Sequence, residues 1–320
     1  MTSTVYITRK LPGEIVDKLT NFFNVRMWEE EHVPVPKEVL LQEIANADGL
    51  LCLLTDRIDQ EVLKNANQLK AICNVAVGYN NIDVDAAAAK GIVVTNTPRV
   101  LTETTADLTF ALLMAAARRV VEASDVLRNG EWGTWSLMQL TGQDVYGATL
   151  GIIGLGRIGE ALVKRAKGFD MNVLYYNRTR KPEKEQELDI QYAELKELLQ
   201  QSDYVSLLLP YSPGVHHMIG NEELSMMKST AILVNTSRGG IVDEEALYHA
   251  LRDGKILAAG LDVFEQEPMP LNHPLLSLPN VVALPHIGSA SVKTRMQMAH
   301  LAADNLVKVL YGEEPITPVW

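Results

Sequence analysis

The sequence predicts an α/β protein with two doubly wound parallel-sheet domains, on three observations. Its 320 residues exceed what one hydrophobic core ordinarily serves. Short apolar runs alternate with amphipathic helical stretches along most of the chain, the pattern of parallel strands joined by crossover helices. A glycine-rich turn, Gly154-Leu-Gly156-Arg-Ile-Gly159, sits between one such run and one such stretch.

Within 1–99, strand patterns fall at 5–8, 25–28, 49–53, 71–75 and 92–95, with amphipathic stretches at 14–23, 36–45, 59–65 and 84–89. Two segments that follow strands break the alternation, Leu54-Thr-Asp-Arg57 and Val75-Ala-Val-Gly-Tyr-Asn-Asn81. Open α/β sheets bind ligands beyond the carboxyl ends of their strands. Gly78 and its neighbours can turn backbone N–H groups toward a carboxylate there; ordinary βα turns are the alternative. Thr97-Pro98 closes this unit.

One long helix is predicted over 102–127, with Thr104 and Asp107 at capping-box spacing. Its middle, 110–117, is apolar nearly all round and is expected to be buried. Residues 129–146, with Trp132 and Trp135, have no clear period and read as a long functional or interfacial loop. Alternation then resumes. Strands are expected at 150–153, 173–176, 204–209, 231–235, 258–263 and 281–284. Helices are expected after the glycine turn, closing at Gly168, and at 194–200, 222–227 and 243–252. A last amphipathic helix spans 291–310 and stops at Gly312.

The glycine turn has the strand–turn–helix–strand context of a dinucleotide site. Gly154 permits the tight turn, Gly156 lets backbone approach a pyrophosphate, and Gly159 lets the helix pack on the strand. The helix N-terminus, from Arg157 and Ile158, presents free N–H groups to the phosphates. An NAD site usually places Asp or Glu at the end of the next strand, accepting from the ribose 2′-OH. Here stand Asn177, Arg178, Thr179 and Arg180. A carboxylate repels a 2′-phosphate, whereas an amide, a guanidinium and a hydroxyl bind it. The reading is NADPH; an NAD-linked site with a solvated basic turn is the alternative.

Composition narrows the partners. Hydrophobic content of 47% and charged content of 22% are ordinary for a globular protein. A net charge of −11 argues against nucleic acid or an anionic membrane as partner. It also obliges any anionic substrate to find a locally positive pocket. No apolar run reaches the roughly 18 residues a membrane span needs, and MTSTVYITRK carries no apolar signal segment. Cys52 and Cys73 lie in strand-like runs and read as buried thiols of a reducing compartment. The expected location is the cytoplasm.

Three segments after strands carry suitable chemistry: Asn235-Thr-Ser-Arg-Gly-Gly240, Asp262-Val-Phe-Glu-Gln-Glu-Pro268 and Pro285-His-Ile-Gly-Ser289. In a parallel sheet they open on one edge, so Arg238, Asp262, Glu267 and His286 are expected to converge. Hydride delivery to a ketone develops charge on its oxygen, and histidine is the side chain suited to donate a proton at neutral pH. Glu267 beside His286 stabilises the imidazolium. Arg238 grips a 2-oxo acid's carboxylate and polarises its carbonyl. No metal is expected.

With GLGRIG at 154–159, NTSRGG at 235–240, LDVFEQEP at 261–268, PHIGSA at 285–290 and NVAVGYNNID at 74–83, nearly the whole chain resembles the D-2-hydroxyacid dehydrogenase family. The resemblance implies a Rossmann cofactor domain, 100–287, inserted into a flavodoxin-like substrate domain, 1–99 with 288–320. It implies Arg238, Glu267 and His286 as the catalytic trio. Thr105, Thr236 and Asp262 would join the cofactor residues, and Leu54, Val77 and Gly78 the substrate pocket, over which the lobes close. It also implies a homodimer formed through the cofactor domains. The basic turn at 177–180 is similar to that of the NADPH-preferring glyoxylate/hydroxypyruvate reductase branch, which overlaps with 2-ketogluconate reductases. One departure lies in 129–146. Animal members of that branch reach a neighbouring active site with a Trp there; Trp135 is offset from that position, which falls near Met138 or Gln139. The expected activity is NADPH-dependent reduction of small 2-oxo acids, glyoxylate and hydroxypyruvate first. The alternatives are 2-ketogluconate reduction, an NAD-linked dehydrogenase, and a nucleotide-sensing scaffold without turnover.

Overall fold

The computed structural model describes residues 2–319. They form two compact units, one of residues 2–101 with 291–319 and one of Thr102–Ala290. The first opens β1 (Thr4–Ile7), α1 (Gly13–Thr20), β2 (Asn24–Met27), α2 (Lys37–Ile44), β3 (Gly49–Cys52), α3 (Gln60–Asn65), β4 (Ala71–Asn74), α4 (Val84–Ala89) and β5 (Val93–Thr95). The second runs α5 (Thr102–Ala117), α6 (Val120–Arg128), β6 (Thr149–Ile153), α7 (Arg157–Lys167), β7 (Asn172–Tyr176), α8 (Pro182–Leu188), β8 (Gln191–Tyr192), α9 (Leu195–Gln201) and β9 (Tyr204–Leu207). It continues through α10 (Asn221–Met226), β10 (Ile232–Asn235), α11 (Glu244–Arg252), β11 (Ala258–Leu261) and β12 (Val281–Ala283), after which α12 (Val292–Leu310) rejoins the first unit.

Both sheets are parallel throughout. The first has order β2-β1-β3-β4-β5, the flavodoxin-like order. Its central strands β3 and β4 are buried at every position, as sheets covered on both faces require. Asp59 and Asp83 cap α3 and α4, each accepting a first-turn N–H. Helix α12 packs on β3, β4 and α1, and Asn305 within it holds the tail through the N–H groups of Ile316 and Thr317.

The second sheet has order β12-β11-β10-β9-β6-β7-β8, the dinucleotide-fold order extended by one strand. Ile152 lies in the core on one face with residues of α5 and α7. Its neighbour Ile153 lies in the core on the other with residues of α9, α10 and α11, as strand alternation requires. Strand order reverses between β6 and β9, and there the edge opens beyond the carboxyl ends.

Several expectations change. The helix predicted over 102–127 is two helices, because Arg119 adopts a left-handed conformation at φ 52°. Neither Gly nor Pro marks this break. Its guanidinium instead clasps Glu122, at 2.8 Å through Nε and 2.6 Å through Nη2. Thr104 and Asp107 form no capping box, since both lie inside α5, and Asp107 accepts from Arg165 Nε at 2.7 Å. Helix α8 and the two-residue β8 were not anticipated; their sequence is charged and short, without a readable period.

Candidate active site

The glycine turn divides its three tasks by contact. Gly154 has φ +101°, and a Cβ on it would lie 2.7 Å from the Leu208 carbonyl carbon, so the turn presses on the end of β9. A Cβ on Gly159 would lie 2.9 Å from the Gly154 oxygen. Above Gly156, by contrast, nothing stands within 4 Å. Only that glycine faces open space, at the N-terminus of α7, where Arg157, Ile158 and Gly159 carry N–H groups without intrahelical partners. The shape and the dipole fit a dinucleotide pyrophosphate.

The turn after β7 is arranged less simply than its composition. Asn177 accepts from Leu155 N at 2.7 Å and donates to Leu155 O at 3.4 Å, so it pins the glycine turn. Arg180 forms a two-pronged pair with Glu185, both contacts at 2.7 Å, and lies over the Tyr192 ring. That pairing pushes the guanidinium up and holds the Glu185 carboxyl down at about 2. Arg178 and Thr179 are exposed, and Arg178 makes no ion pair among the described residues. Lys181, which the sequence reading passed over, sends Nζ to Leu155 O at 2.6 Å and so joins the turn. Its only sequence signal is its place at the end of a basic run.

Three strand ends supply the remaining groups. Beyond β10, Asn235 donates to Arg238 O at 2.9 Å and accepts from Ser237 N at 3.0 Å, which shapes the turn carrying Arg238. Thr236 is buried and meets Thr109 Oγ1 at 2.7 Å, and Thr109 also donates to the Thr105 carbonyl. Beyond β11, the buried Asp262 accepts from Ile287 N at 2.7 Å and Gly288 N at 2.8 Å, fixing the turn that presents His286. Burial pushes its carboxyl up against the pull of those two donors. Beyond β12, His286 stands in the left-handed region at φ 54°, a conformation uncommon outside glycine, enriched in Asn, Asp and His, and found at functional sites.

Glu267 links these turns. Its Oε2 lies 2.6 Å from His286 Nδ1 and its Oε1 accepts from Phe264 N at 3.0 Å. Burial pushes this carboxyl up, yet the hydrogen bond and charge of His286, the Phe264 N–H and Arg238 together hold it below its ordinary value. Arg238 is lowered by burial, with Glu267 opposing. One edge therefore carries a fixed cation, a carboxylate held ionised and an imidazole hydrogen-bonded to it.

Leu54, Val77 and Gly78 lie in the first unit, beyond β3 and β4, each half-buried. Asn81 ties their two loops together, donating to Leu53 O at 3.1 Å and Asp56 O at 3.0 Å. The described residues include no cluster of metal-ligating side chains and no helix long and apolar enough to cross a membrane.

A dinucleotide-type sheet whose open edge carries Arg, Glu and His defines the architecture of a nucleotide-dependent dehydrogenase. Residues 110–288 match the D-isomer specific 2-hydroxyacid dehydrogenase NAD binding domain, and the chain belongs to that family. It is 52% identical to a glyoxylate reductase of Korarchaeum cryptofilum, over 98% of this chain and 95% of the other. It is 51% identical to a glyoxylate reductase of Thermococcus gammatolerans, over 100% and 96%. Among solved structures it resembles the TT0316 protein of Thermus thermophilus, at TM-score 0.93 and 47% identity over 99% and 100% of the two chains. It also resembles the NADPH-dependent glyoxylate/hydroxypyruvate reductase of Sinorhizobium meliloti in complex with NADP and malonate, at TM-score 0.87 and 33% identity over 100% and 97%.

Proposed function

We propose that the protein reduces small 2-oxo acids, glyoxylate and hydroxypyruvate first, with NADPH as the cofactor. The observation that carries the reading is the 2.6 Å contact between Glu267 and His286 beside Arg238, on the edge where the glycine turn opens. The names of the relatives at about half identity support the substrate class, and the NADP complex of a more distant structural relative supports the cofactor.

In this reading the unit of 102–290 is the NADP-binding domain. Gly154, Gly156, Arg157, Ile158 and Gly159 hold the pyrophosphate, Arg178 and Thr179 the 2′-phosphate, and Thr105, Thr236 and Asp262 the nicotinamide end. A bound nicotinamide dinucleotide supplies the hydride. Arg238 binds the substrate carboxylate and polarises the carbonyl to be reduced. His286 donates a proton to the carbonyl oxygen as its charge develops, and Glu267 holds that imidazole in place through its 2.6 Å contact with Nδ1. Solvent then returns the proton to His286. The other unit is the substrate-binding domain, with Leu54, Val77 and Gly78 in its pocket.

We further propose a homodimer built on the second unit. Trp132, Trp135, Leu137 and Met138 are all more than half exposed on its long loop, an apolar concentration that marks a protein contact. Beside that loop, a cavity of about 390 Å³ lined by Ala117, Arg119, Gly142 and Asn280 offers a place for a partner's side chain. The two unpaired buried thiols support a reducing, cytoplasmic setting. Initial rates crossing glyoxylate, hydroxypyruvate and 2-ketogluconate with NADPH and NADH test the activity. Turnover favouring NADPH and the two smaller acids is expected; better rates with NADH overturn the cofactor assignment, and no turnover overturns the enzyme. Light scattering after size exclusion tests the dimer.

A further inference from the structure

Glu267 sits on a stretch that the sheet itself does not hold. From Val263 to Asn272 no backbone–backbone hydrogen bond reaches another element among the described residues. The Phe264 N–H goes to Glu267 itself, so it shapes the stretch without tying it down. Two side chains from other elements fasten it, and both take Glu265, two residues before Glu267. Glu244, in the first turn of α11, accepts from Glu265 N with Oε1 at 2.8 Å. His217, on the loop after β9, meets Glu265 Oε1 with Nε2 at 2.7 Å. The same Phe264–Glu265 peptide presses on Gly239, where an added Cβ would fall 2.2 Å from Glu265 N. One peptide is thus held by Glu244 and packed on the turn that carries Arg238.

The two anchors are unequal. The Glu244 side chain is only 14% exposed, and a carboxylate that accepts a backbone N–H there makes a charge-assisted bond. Burial pushes its carboxyl up, while the Glu265 N–H and His273, whose Nε2 lies 3.2 Å from Oε2, oppose this. His217 and the Glu265 carboxylate are each more than a third exposed, where such a contact contributes little. His217 makes it from the left-handed region at φ 52°, its own N–H donating to Gly240 O at 2.9 Å. We infer that Glu244 is a positioning residue, with His217 as its lesser partner, that anchors Glu265 so that Glu267 is delivered to His286. The effect on turnover rests on the role proposed for Glu267; the anchor rests on geometry alone.

Glu244→Ala removes the acceptor; Glu244→Gln keeps an oxygen for the Glu265 N–H. In the Ala variant kcat for glyoxylate should fall about tenfold, the loss of roughly one hydrogen bond's net contribution. KM for glyoxylate and for NADPH should stay within about twofold of wild type. Glu244→Gln should bring kcat back to within about threefold of wild type. Because Glu244 acts through Glu267, the Ala change should cost less than about twofold more when made in Glu267→Gln, a non-additivity that a general support does not show. Hydrogen exchange across 263–272 should be faster in Glu244→Ala than in wild type or Glu244→Gln. With Glu267→Gln impaired, a wild-type kcat in Glu244→Ala overturns the inference, and so does the same loss in both backgrounds. If Glu267→Gln turns over like wild type, or the protein reduces no 2-oxo acid, the proposed role of Glu267 falls and exchange alone decides the anchor. Faster exchange in Glu244→Ala then upholds it, and unchanged exchange overturns it.

Discussion

Oε2 of Glu267 meets Nδ1 of His286 at 2.6 Å while Oε1 of the same carboxylate takes the Phe264 N–H. The carboxylate is thus anchored on its own strand end before it meets the imidazole, and the pair is rigid on the Glu267 side. Because Glu267 is held below its ordinary value, its interactions stabilise the fold above the unfolded carboxyl value of about 4.3. That contribution is lost as pH falls through the depressed folded value.

Glu267→Gln keeps the shape and removes the charge. Without the carboxylate, Nδ1 of His286 loses the negatively charged partner that fixes the ring at 2.6 Å. For reduction, kcat should fall roughly 10²-fold. A kcat equal to that of wild type would remove Glu267 from the proton-donating role.

Arg238→Lys retains a charge and loses the planar fork. A fall of roughly 10²–10³ in kcat/KM is expected, with only a small change in the thermal transition: Asn235 still donates to the Arg238 carbonyl at 2.9 Å and holds the turn, while the lost fork gives up its Nη1 contact to the Ser237 carbonyl at 2.7 Å. Steady-state kinetics beside a melting curve check both halves.

The two arginines after β7 should behave differently. Arg178→Ala should raise KM for NADPH about tenfold and leave NADH unaffected, as loss of a charge-assisted contact to a 2′-phosphate requires. Arg180→Ala should change neither, because that guanidinium is already paired with Glu185. Equal effects of Arg178→Ala on both cofactors would count against a 2′-phosphate site.

Gly239→Ala should be severe. The added Cβ would fall 1.8 Å from the Phe264 carbonyl carbon, backbone against backbone, in the turn that separates Arg238 from the Glu267 segment. A loss of about 3 kcal/mol is expected, a Tm lower by about 6–12 °C, together with loss of turnover. Calorimetry reads the first and initial rates the second.

Much of this was legible before the coordinates. Buried parallel strands announce themselves as apolar runs, so each of β1 to β7 and β9 to β12 lies on a run read as strand. Glycine spacing, strand context and the residues beyond β10, β11 and β12 pointed to Arg238, Glu267 and His286 through topology alone. What escaped was set by tertiary contact. The break at Arg119 falls where neither Gly nor Pro stands, beside an ion pair with Glu122, and α8 brings a single apolar residue, Leu188, to the core, too little for a period. Asn81 looks in sequence like an ordinary turn residue; only its partners, the Leu53 and Asp56 carbonyls, show that it ties two loops together. Asn177 and Arg180 looked like cofactor ligands from composition, but their hydrogen bonds run to Leu155 and Glu185.

Both cysteines lie at zero exposure in adjacent strands, and burial pushes the Cys73 thiol up to about 12 and Cys52 well above its usual range. A thiol reacts as its thiolate, so the folded chain is chemically silent toward maleimides and similar electrophiles. A single cysteine introduced on an exposed surface, such as Glu38→Cys on α2, would take a fluorophore without any prior removal of native thiols. The wild-type sequence is already a labelling background, and unwanted dye incorporation would serve as a direct signal of unfolding.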